Sequence, residues 1–335
     1  MKQFLRYGCL MVLVACFMSW RSLSAEEAVP ALSRSNSVFD EADAQRLGLT
    51  FENLTLEVEN LKREYVFLWI ADLHVIADDL SEVAPTDLET VMDRREKAFR
   101  NPQSKMTSLQ VWQELVPCLN RSRADAILFG GDICDFGSLA NIQALKDGFA
   151  QLQKPYLYAR ADHDVAPWWL AERKPEEVNA LENSIDGNAP IQVLEAEDLV
   201  VASFNLSTSN LPEAGLKCFK QLYAKGKPIL LITHVPFHSL ADSSLEEKCM
   251  ARDGKNRNLT WGKECYYSPN ATTQEFLEMV CAETSPVFAV LAGHLHFSWH
   301  GLLTKRATQH LFEPTYRGNI GVVTIKPKPA LPPQK

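Results

Sequence analysis

Continuous apolar stretches alternate along this chain with stretches whose apolar residues recur every three or four positions. A continuous apolar run predicts a strand that is buried on both faces. Such runs occupy residues 65–71, 126–129, 156–159, 229–232 and 287–291. The other periodicity predicts amphipathic helices. Helical patterns occupy residues 86–100, 107–122, 138–152, 167–184, 212–225 and 272–282. Buried strands that alternate with helices indicate an α/β fold.

Weaker signals complete the predicted organisation. Apolar and polar residues alternate at 51–58, which predicts a half-buried strand. Shorter strand signals occupy residues 191–195, 199–205, 297–303, 309–313 and 320–326. The polar segment 239–270 predicts an inserted loop, which could overhang a functional site or lie on the surface. The simplest division of the chain follows from these signals. It gives a signal peptide (1–25), a leader with the first strand (26–60), one domain (61–327) and a flexible tail (328–335).

The N-terminal segment has the features of a secretion signal. Lys2 and Arg6 precede a charge-free, mostly apolar run of 14 residues, 7–20, and small residues lead to Ala25. A membrane-spanning helix needs about 20 apolar residues, so we expect cleavage after Ala25 and a secreted or periplasmic protein. The alternative is a lipobox ending at Cys16, which would anchor the protein through a lipid. The sequence predicts no transmembrane span after this segment.

Composition narrows the possible partners. Apolar residues make up 46% of the chain and charged residues 23%, as in ordinary globular proteins. The net charge of −8 argues against the basic face that nucleic acids require, so we expect no nucleic-acid partner. A small anionic substrate remains possible because a local metal cluster can override the overall charge.

Six cysteines follow the predicted signal peptide, and an even number in an exported chain permits disulfides. Cys249 and Cys265 flank a polar segment and are the first pair that we predict. Buried free thiols are the alternative for Cys118, Cys134 and Cys281, because free cysteine behaves as a small apolar residue.

Five short segments that are rich in aspartate and histidine come directly after the predicted buried strands. They are Asp72-Leu-His74, Gly131-Asp132-Ile-Cys-Asp135, Asp162-His163-Asp164, His234 and Gly293-His294-Leu-His296. Buried carboxylates and imidazoles are costly unless they are paired or bind metal. In open α/β sheets, ligands collect beyond the carboxyl ends of the strands. We therefore expect one shared metal site, in which extended backbone brings residues two positions apart, such as Asp72 and His74, to the same side.

These segments, in this order, resemble the calcineurin-like metallophosphoesterase superfamily, whose pattern is D-x-H, GD-x-x-D, GNH[D/E], a lone His and G-H-x-H. The resemblance covers residues 66–297. It implies a sandwich of two mixed β-sheets flanked by helices. It also implies a dinuclear centre of two divalent or mixed-valence ions (Fe, Mn or Zn) at the strand ends.

The resemblance also implies a role for each matching residue. Asp132 would bridge the two ions. The remaining ligands would be Asp72, His74 and His296 for the first ion and Asp162, His234 and His294 for the second. His163 would act as general acid or transition-state stabiliser, and Asp135 would orient its imidazole. Arg160 could contact phosphate or be a solvated arginine at a strand end.

The chain departs from the family pattern at two positions, and from the pattern of one subgroup at a third. Asp162 stands where the family usually has Asn, Ala161 replaces Gly, and Phe136 replaces the Arg of the protein serine/threonine phosphatases. With Asp162, three carboxylates and a bridging hydroxide would cancel the charge of two divalent ions, whereas Asn would leave one positive charge. Our hypothesis is that Asp162 favours a hard ion such as iron or manganese.

The function that these residues predict is that of a secreted metal-dependent phosphoesterase acting on a small phosphomonoester or phosphodiester. The hydroxide nucleophile would be generated by the two ions near neutral pH. The alternative is a catalytically silent metal-binding surface protein with the same fold. Trp168 and Trp169 could line an aromatic substrate wall, although core packing is the more common role of such residues.

Overall fold

Two mixed β-sheets form the centre of the fold. The computed structural model describes residues 38–171, 183–185, 189–205, 210–255 and 268–329. The strands of sheet 1 are β1 (Thr50–Val58), β2 (Tyr65–Ile70), β3 (Ala126–Phe129), β4 (Tyr156–Tyr158) and β11 (Asn319–Pro327). The strands of sheet 2 are β5 (Ile191–Glu195), β6 (Val200–Phe204), β7 (Ile229–Ile232), β8 (Val287–Ala292), β9 (Trp299–Leu302) and β10 (Thr308–Leu311).

Parallel strands form the middle of each sheet. Sheet 1 has the order β1-β11-β2-β3-β4, and only β11 and β2 are antiparallel neighbours. Sheet 2 has the order β5-β6-β7-β8-β10-β9, in which the two outermost pairs are antiparallel. The carboxyl ends of β2, β3 and β4 therefore lie along one edge of sheet 1, and those of β7 and β8 lie along one edge of sheet 2.

Helices flank the sheets. They are α1 (Glu41–Leu47), α2 (Leu88–Asp93), α3 (Ser108–Arg121), α4 (Leu139–Gln151), α5 (Glu213–Ala224), α6 (Ser244–Asp253) and α7 (Ala271–Cys281). A π-helical turn, Arg94–Ala98, continues α2. Several helix starts follow from local hydrogen bonds. The Ser138 hydroxyl accepts the N–H of Asn141 at 3.1 Å, and Thr107 with Gln110 forms a capping box at α3.

The core has three layers of contact because alternate residues of a strand face opposite sides. Phe67 and Trp69 of β2 point between the sheets and pack with residues of sheet 2 such as Leu291. Leu68 and Ile70 point outwards to α3 and α4. Residues of α5 and α7 cover the outer face of sheet 2 in the same way. The expected sandwich of two mixed sheets with flanking helices is confirmed.

Two local predictions were wrong. The segment 167–171, predicted to begin a helix, forms turns in which Val83 and Leu170 make an antiparallel bridge, so cross-segment pairing overrides the helical pattern. The predicted loop 239–270 contains α6, whose buried Leu245 and Cys249 pack with Phe297 and other apolar residues beyond the last motif. Residues 172–182 and 256–267 lie outside the described residues.

Several other predictions concern residues that the structure does not describe. These include the signal peptide 1–25, the lipid-anchor site Cys16 and the disulfide partner Cys265. Within the described part of the chain, Cys118, Cys134, Cys218 and Cys281 form no disulfide. Among the described residues, no helix is both long and apolar enough to cross a membrane. The described residues form one compact unit.

Candidate metal centre

The five Asp/His segments meet where the carboxyl ends of the parallel strands face each other across the sandwich. Hydrogen bonds between the two sheets fix this arrangement. The N–H of His294, after β8, donates to Asp72 Oδ1 at 3.0 Å, and Nδ1 of His234, after β7, donates to the Gly130 carbonyl at 2.8 Å. The site is therefore built from both sheets.

Left-handed backbone, rather than extended backbone, aims the side chains. Asp72, His74, Asp132, His294 and His296 have φ between 50° and 71°. This region is unfavourable for residues other than glycine and is common at functional sites. The expectation that extended backbone places Asp72 and His74 side by side was therefore wrong, although the two side chains do converge.

Two glycines permit the close approach of these segments. A Cβ at Gly131, whose φ is 87°, would lie 2.6 Å from the Ala159 carbonyl oxygen. A Cβ at Gly293 would lie 2.6 Å from Asp72 Oδ2. Both positions therefore need a residue without a side chain.

The first group of potential ligands contains Asp72, His74, Asp132 and His296, whose ligand atoms all lie within 4.8 Å of one another. Nε2 of His296 is 3.2 Å from Asp72 Oδ1 and 3.2 Å from Nε2 of His74. Nδ1 of His74 lies 2.9 Å from the Asp135 carboxylate, and we assign the proton to this nitrogen, so that it donates a hydrogen bond to Asp135. The lone pair of Nε2 is then free to bind a metal. This group coincides with the set predicted for the first ion and its bridge.

The second group contains Asp132, His234 and His294 under the same distance limit. Nε2 of His234 lies 3.0 Å from Asp132 Oδ2. Asp132 thus belongs to both groups, as a bridging carboxylate must. Its other oxygen, Oδ1, is buried and makes no hydrogen bond within the described structure. An unsatisfied buried carboxylate oxygen is costly, and a cation would satisfy it.

Asp162, the remaining predicted ligand, is outside both groups. Its charge nevertheless acts on His234, whose pKa it helps to raise. Its carbonyl oxygen accepts the N–H of Ala166 at 2.7 Å and that of Val165 at 3.2 Å, which closes the turn after the third motif. Ligation by Asp162 stays a prediction.

A third cluster joins His74, Asp135 and His163. Nδ1 of His163 lies 2.7 Å from the backbone carbonyl oxygen of Asp135, whereas the Asp135 carboxylate is 3.4 Å from it. The expected partnership of Asp135 with His163 is thus made mainly by the backbone oxygen. The carboxylate is closer to His74 and also accepts two hydrogen bonds from Arg94, at 2.6 and 2.7 Å.

Arg94 belongs to the site but was not predicted, and Asp164, which lies in the third predicted segment, was given no role of its own. Arg94 lies in the π-helical turn, a feature often found at functional sites. Asp164 is fully buried, and its two oxygens accept four backbone N–H groups. The donors are Asp132 at 3.1 Å, Ile133 at 2.8 Å, Cys134 at 2.9 Å and Ala161 at 2.9 Å. Asp164 therefore holds the backbone that carries Asp132. The signal that could have indicated it is a second aspartate directly after His163.

Arg160 and the two tryptophans occupy different environments. The side chain of Arg160 is fully buried, with 0% exposure, so contact with phosphate stays a prediction that this burial disfavours. Trp169 packs on Phe136, with ring centroids 5.6 Å apart. Trp168 is exposed and lies against His163, with ring centroids 4.4 Å apart.

The buried charges perturb one another strongly. Burial alone would lower the pKa of His234, but Asp132 raises it to about 10. Burial would also lower the pKa of His163, but the charges of Asp132 and Asp135 outweigh it and raise this pKa to about 9. Burial is the main cause of the lowered pKa of His74. A metal would replace the proton at His234, since a ligating imidazole is neutral.

Several known structures are similar to this chain at low sequence identity. A dimetal phosphatase from Danio rerio is 15% identical, with a TM-score of 0.41, over 76% of this chain and 88% of its own. A purple acid phosphatase from yellow lupin (Lupinus luteus) seeds is 10% identical, with a TM-score of 0.41, over 79% of this chain and 44% of its own. An anchor protein of the inner membrane complex of Plasmodium is 13% identical, with a TM-score of 0.37, over 75% of this chain and 72% of its own.

The sequence itself gives a family assignment. No functionally curated protein matches the chain. The model of the calcineurin-like phosphoesterase family matches residues 65–298, which include all five Asp/His segments and well over half of the chain. This chain therefore belongs to the calcineurin-like phosphoesterase family.

Proposed function

We propose that this protein is an exported, metal-dependent phosphoesterase that hydrolyses a small phosphomonoester or phosphodiester. The observation that carries the proposal is the position of Asp132 in both ligand groups, with one oxygen buried and without a partner. Two cations, when bound, would polarise the phosphoryl oxygens and supply a hydroxide nucleophile near neutral pH. The charge of Asp162 supports iron or manganese at the second position.

His163 is the residue that we assign to the leaving group. Because its Nδ1 is directed at the Asp135 carbonyl oxygen, Nε2 is left to interact with substrate. Its pKa, raised to about 9, favours the protonated form that a general acid needs. Cations at Asp132 would lower this pKa, because they add positive charge nearby.

The test is hydrolysis of p-nitrophenyl phosphate and bis(p-nitrophenyl) phosphate by the mature chain, loaded separately with iron, manganese and zinc. We expect turnover that a chelator abolishes, and we expect His163→Ala to lower kcat by about 10²- to 10⁴-fold. The matched control is His238→Ala, because His238 pairs with Glu246 at 2.7 Å outside the site. Stoichiometric metal binding without turnover of any phosphoester would support the catalytically silent alternative instead.

Export is proposed from the N-terminal sequence alone. The charged start, the short apolar run and the small residues before Glu26 favour cleavage after Ala25 and a secreted or periplasmic location. Mass spectrometry of the mature N-terminus distinguishes the possibilities. A chain that begins at Glu26 would support secretion, a lipid on Cys16 would support anchoring, and a retained Met1 would contradict export.

A further inference from the structure

The exposed aromatic residue beside His163 is the feature that the proposed function does not yet use. Trp168 is 40% exposed and is the only aromatic residue among the exposed large apolar side chains of the described chain. Its ring is nearly perpendicular to that of His163, at 86°, with centroids 4.4 Å apart. An apolar surface of this size next to a charged site is available for substrate.

The turn that carries Trp168 is held firmly. The next residue, Trp169, has a φ of 62°, which is rare for a bulky side chain. The carbonyl of Trp169 accepts the N–H of Ala84 at 2.8 Å, and the N–H of Ala171 donates to the carbonyl of Glu82 at 3.0 Å. These bonds impose the strained conformation, in which Trp169 packs into the protein while Trp168 stays exposed.

The position of Trp168 relative to the reaction follows from His163. Hydrolysis breaks the bond between phosphorus and the leaving oxygen, forms a bond from phosphorus to the oxygen of water, and places a proton on the leaving oxygen. If His163 supplies that proton, the group attached to the leaving oxygen lies on the side of the site where the rings of His163 and Trp168 touch. That group would therefore meet the exposed indole.

Electrostatics indicate which kind of group fits. Indole binds planar aromatic rings by stacking and binds organic cations through its π face. The guanidinium of Arg94 lies 4.6 Å from the ring of Trp169, whose own ring centroid is 6.0 Å from that of Trp168. This guanidinium places a positive charge beside the two indoles and disfavours a cationic leaving group such as choline. A neutral planar ring fits better.

We propose that Trp168 forms the leaving-group subsite and selects phosphoesters whose leaving alcohol carries an aromatic ring, such as aryl-alkyl phosphates or nucleotides. This inference rests on the proposed phosphoesterase function. Trp168 is a specificity-determining residue, and it takes no part in proton transfer.

The experiment compares benzyl phosphate with cyclohexylmethyl phosphate, whose leaving alcohols have similar size but differ in aromaticity, and the Trp168 variants show how much of any preference comes from the indole. The corresponding methyl diesters serve if the metal-loaded protein prefers diesters. We expect kcat/KM to be at least about fivefold higher for the benzyl ester, within the range that stacking on an aromatic side chain provides. Trp168→Ala and Trp168→Leu should remove this preference, and Trp168→Phe should keep most of it.

The controls separate specificity from structural damage. Leu302→Ala, at another exposed apolar residue on β9, should leave both substrates unchanged. Equal losses for both esters in Trp168→Leu would overturn the inference, because Trp168 would then act only by supporting His163. Equal rates for the two esters in the unchanged protein, or a preference for phosphocholine, would also overturn it. If the unchanged protein hydrolyses no phosphoester with any of the three metals, the proposed function itself fails, and this inference fails with it.

Discussion

Asp164 gives a sharp test of how the site is built, because one buried carboxylate satisfies four backbone N–H groups of two motifs. Asp164→Asn keeps the shape of the side chain but replaces one oxygen with an NH₂ group. Each oxygen of Asp164 accepts two N–H groups, so two donors lose their acceptor whichever way the amide is oriented. A buried unsatisfied donor costs about 1–3 kcal/mol, so the free energy of unfolding should fall by about 2–6 kcal/mol.

Metal affinity should fall as well. The lost hydrogen bonds hold the backbone from Asp132 to Cys134, and Asp132 has the left-handed conformation that this support maintains. Loss of a group that orients a metal ligand commonly weakens binding about 10- to 100-fold. Burial and the neighbouring charge of Asp132 raise the pKa of Asp164 to about 6, so measurements at pH 7.5 keep it ionised.

The assay is urea denaturation in the presence of a chelator, which separates folding from metal binding. Calorimetric titration with manganese then gives the affinity. The matched control is Asp40→Asn at the start of α1, where Asp40 accepts the N–H of Ala42 at 2.9 Å. Asn caps a helix as well as Asp does, so this change should cost less than about 0.5 kcal/mol. If Asp164→Asn were as mild as the control in both measurements, the assigned role of Asp164 would be wrong.

Three further predictions concern Arg94, Gly293 and His310. Arg94→Met removes two hydrogen bonds to the buried Asp135 carboxylate and should lower kcat about 10- to 100-fold. Arg94→Lys should recover part of this loss. An unchanged kcat in Arg94→Met would contradict a positioning role for Arg94. Gly293→Ala should displace Asp72 and weaken manganese binding at least about tenfold. Gly226→Ala, whose Cβ meets nothing within 4 Å, should leave the calorimetric affinity unchanged. Burial, together with a neighbouring imidazole, lowers the pKa of His310 to about 3. In the unfolded chain the pKa of a histidine is about 6.5. As the pH falls below 6.5, the unfolded chain therefore takes up this proton first, and the free energy of unfolding decreases. Between pH 7 and pH 5, His310→Gln should lose about 2 kcal/mol less stability than the unchanged protein in urea denaturation, and equal losses would refute this assignment.

The buried strands and their order along the chain could be predicted from the sequence, because a strand covered on both faces needs apolar residues at every position. For two strands even the bounds were predicted correctly, namely 229–232 for β7 and 126–129 for β3. The convergence of the motifs also followed from the sequence, since parallel strands place their carboxyl ends at one edge. The family resemblance, which the match over residues 65–298 bears out, supplied the pairing of two sheets.

The contacts that align the ligands could not be predicted. Arg94 is 41 positions from Asp135 and lies in a polar helical segment, where an arginine usually faces solvent. Asp164 looks like part of the metal-binding motif but accepts backbone N–H groups instead of facing the site. The segment 244–253 was predicted as loop because few of its residues are apolar, although Leu245 and Cys249 suffice to bury one side of α6. Each of these depends on a tertiary contact that local pattern does not encode.

The left-handed conformation of the candidate ligands explains why such contacts are needed. Glycine would adopt φ values between 50° and 71° without strain, but glycine has no side chain that could bind a cation. The ligand positions therefore carry residues that disfavour their own backbone conformation, at a cost of about 1–3 kcal/mol each. Hydrogen bonds from elsewhere offset that cost, namely the N–H of His294 to Asp72, the N–H of Asp132 to Asp164, and the N–H of Asp72 to the Gly131 carbonyl. Because these bonds lie within the protein, the fold itself holds the candidate ligands in position before a cation binds.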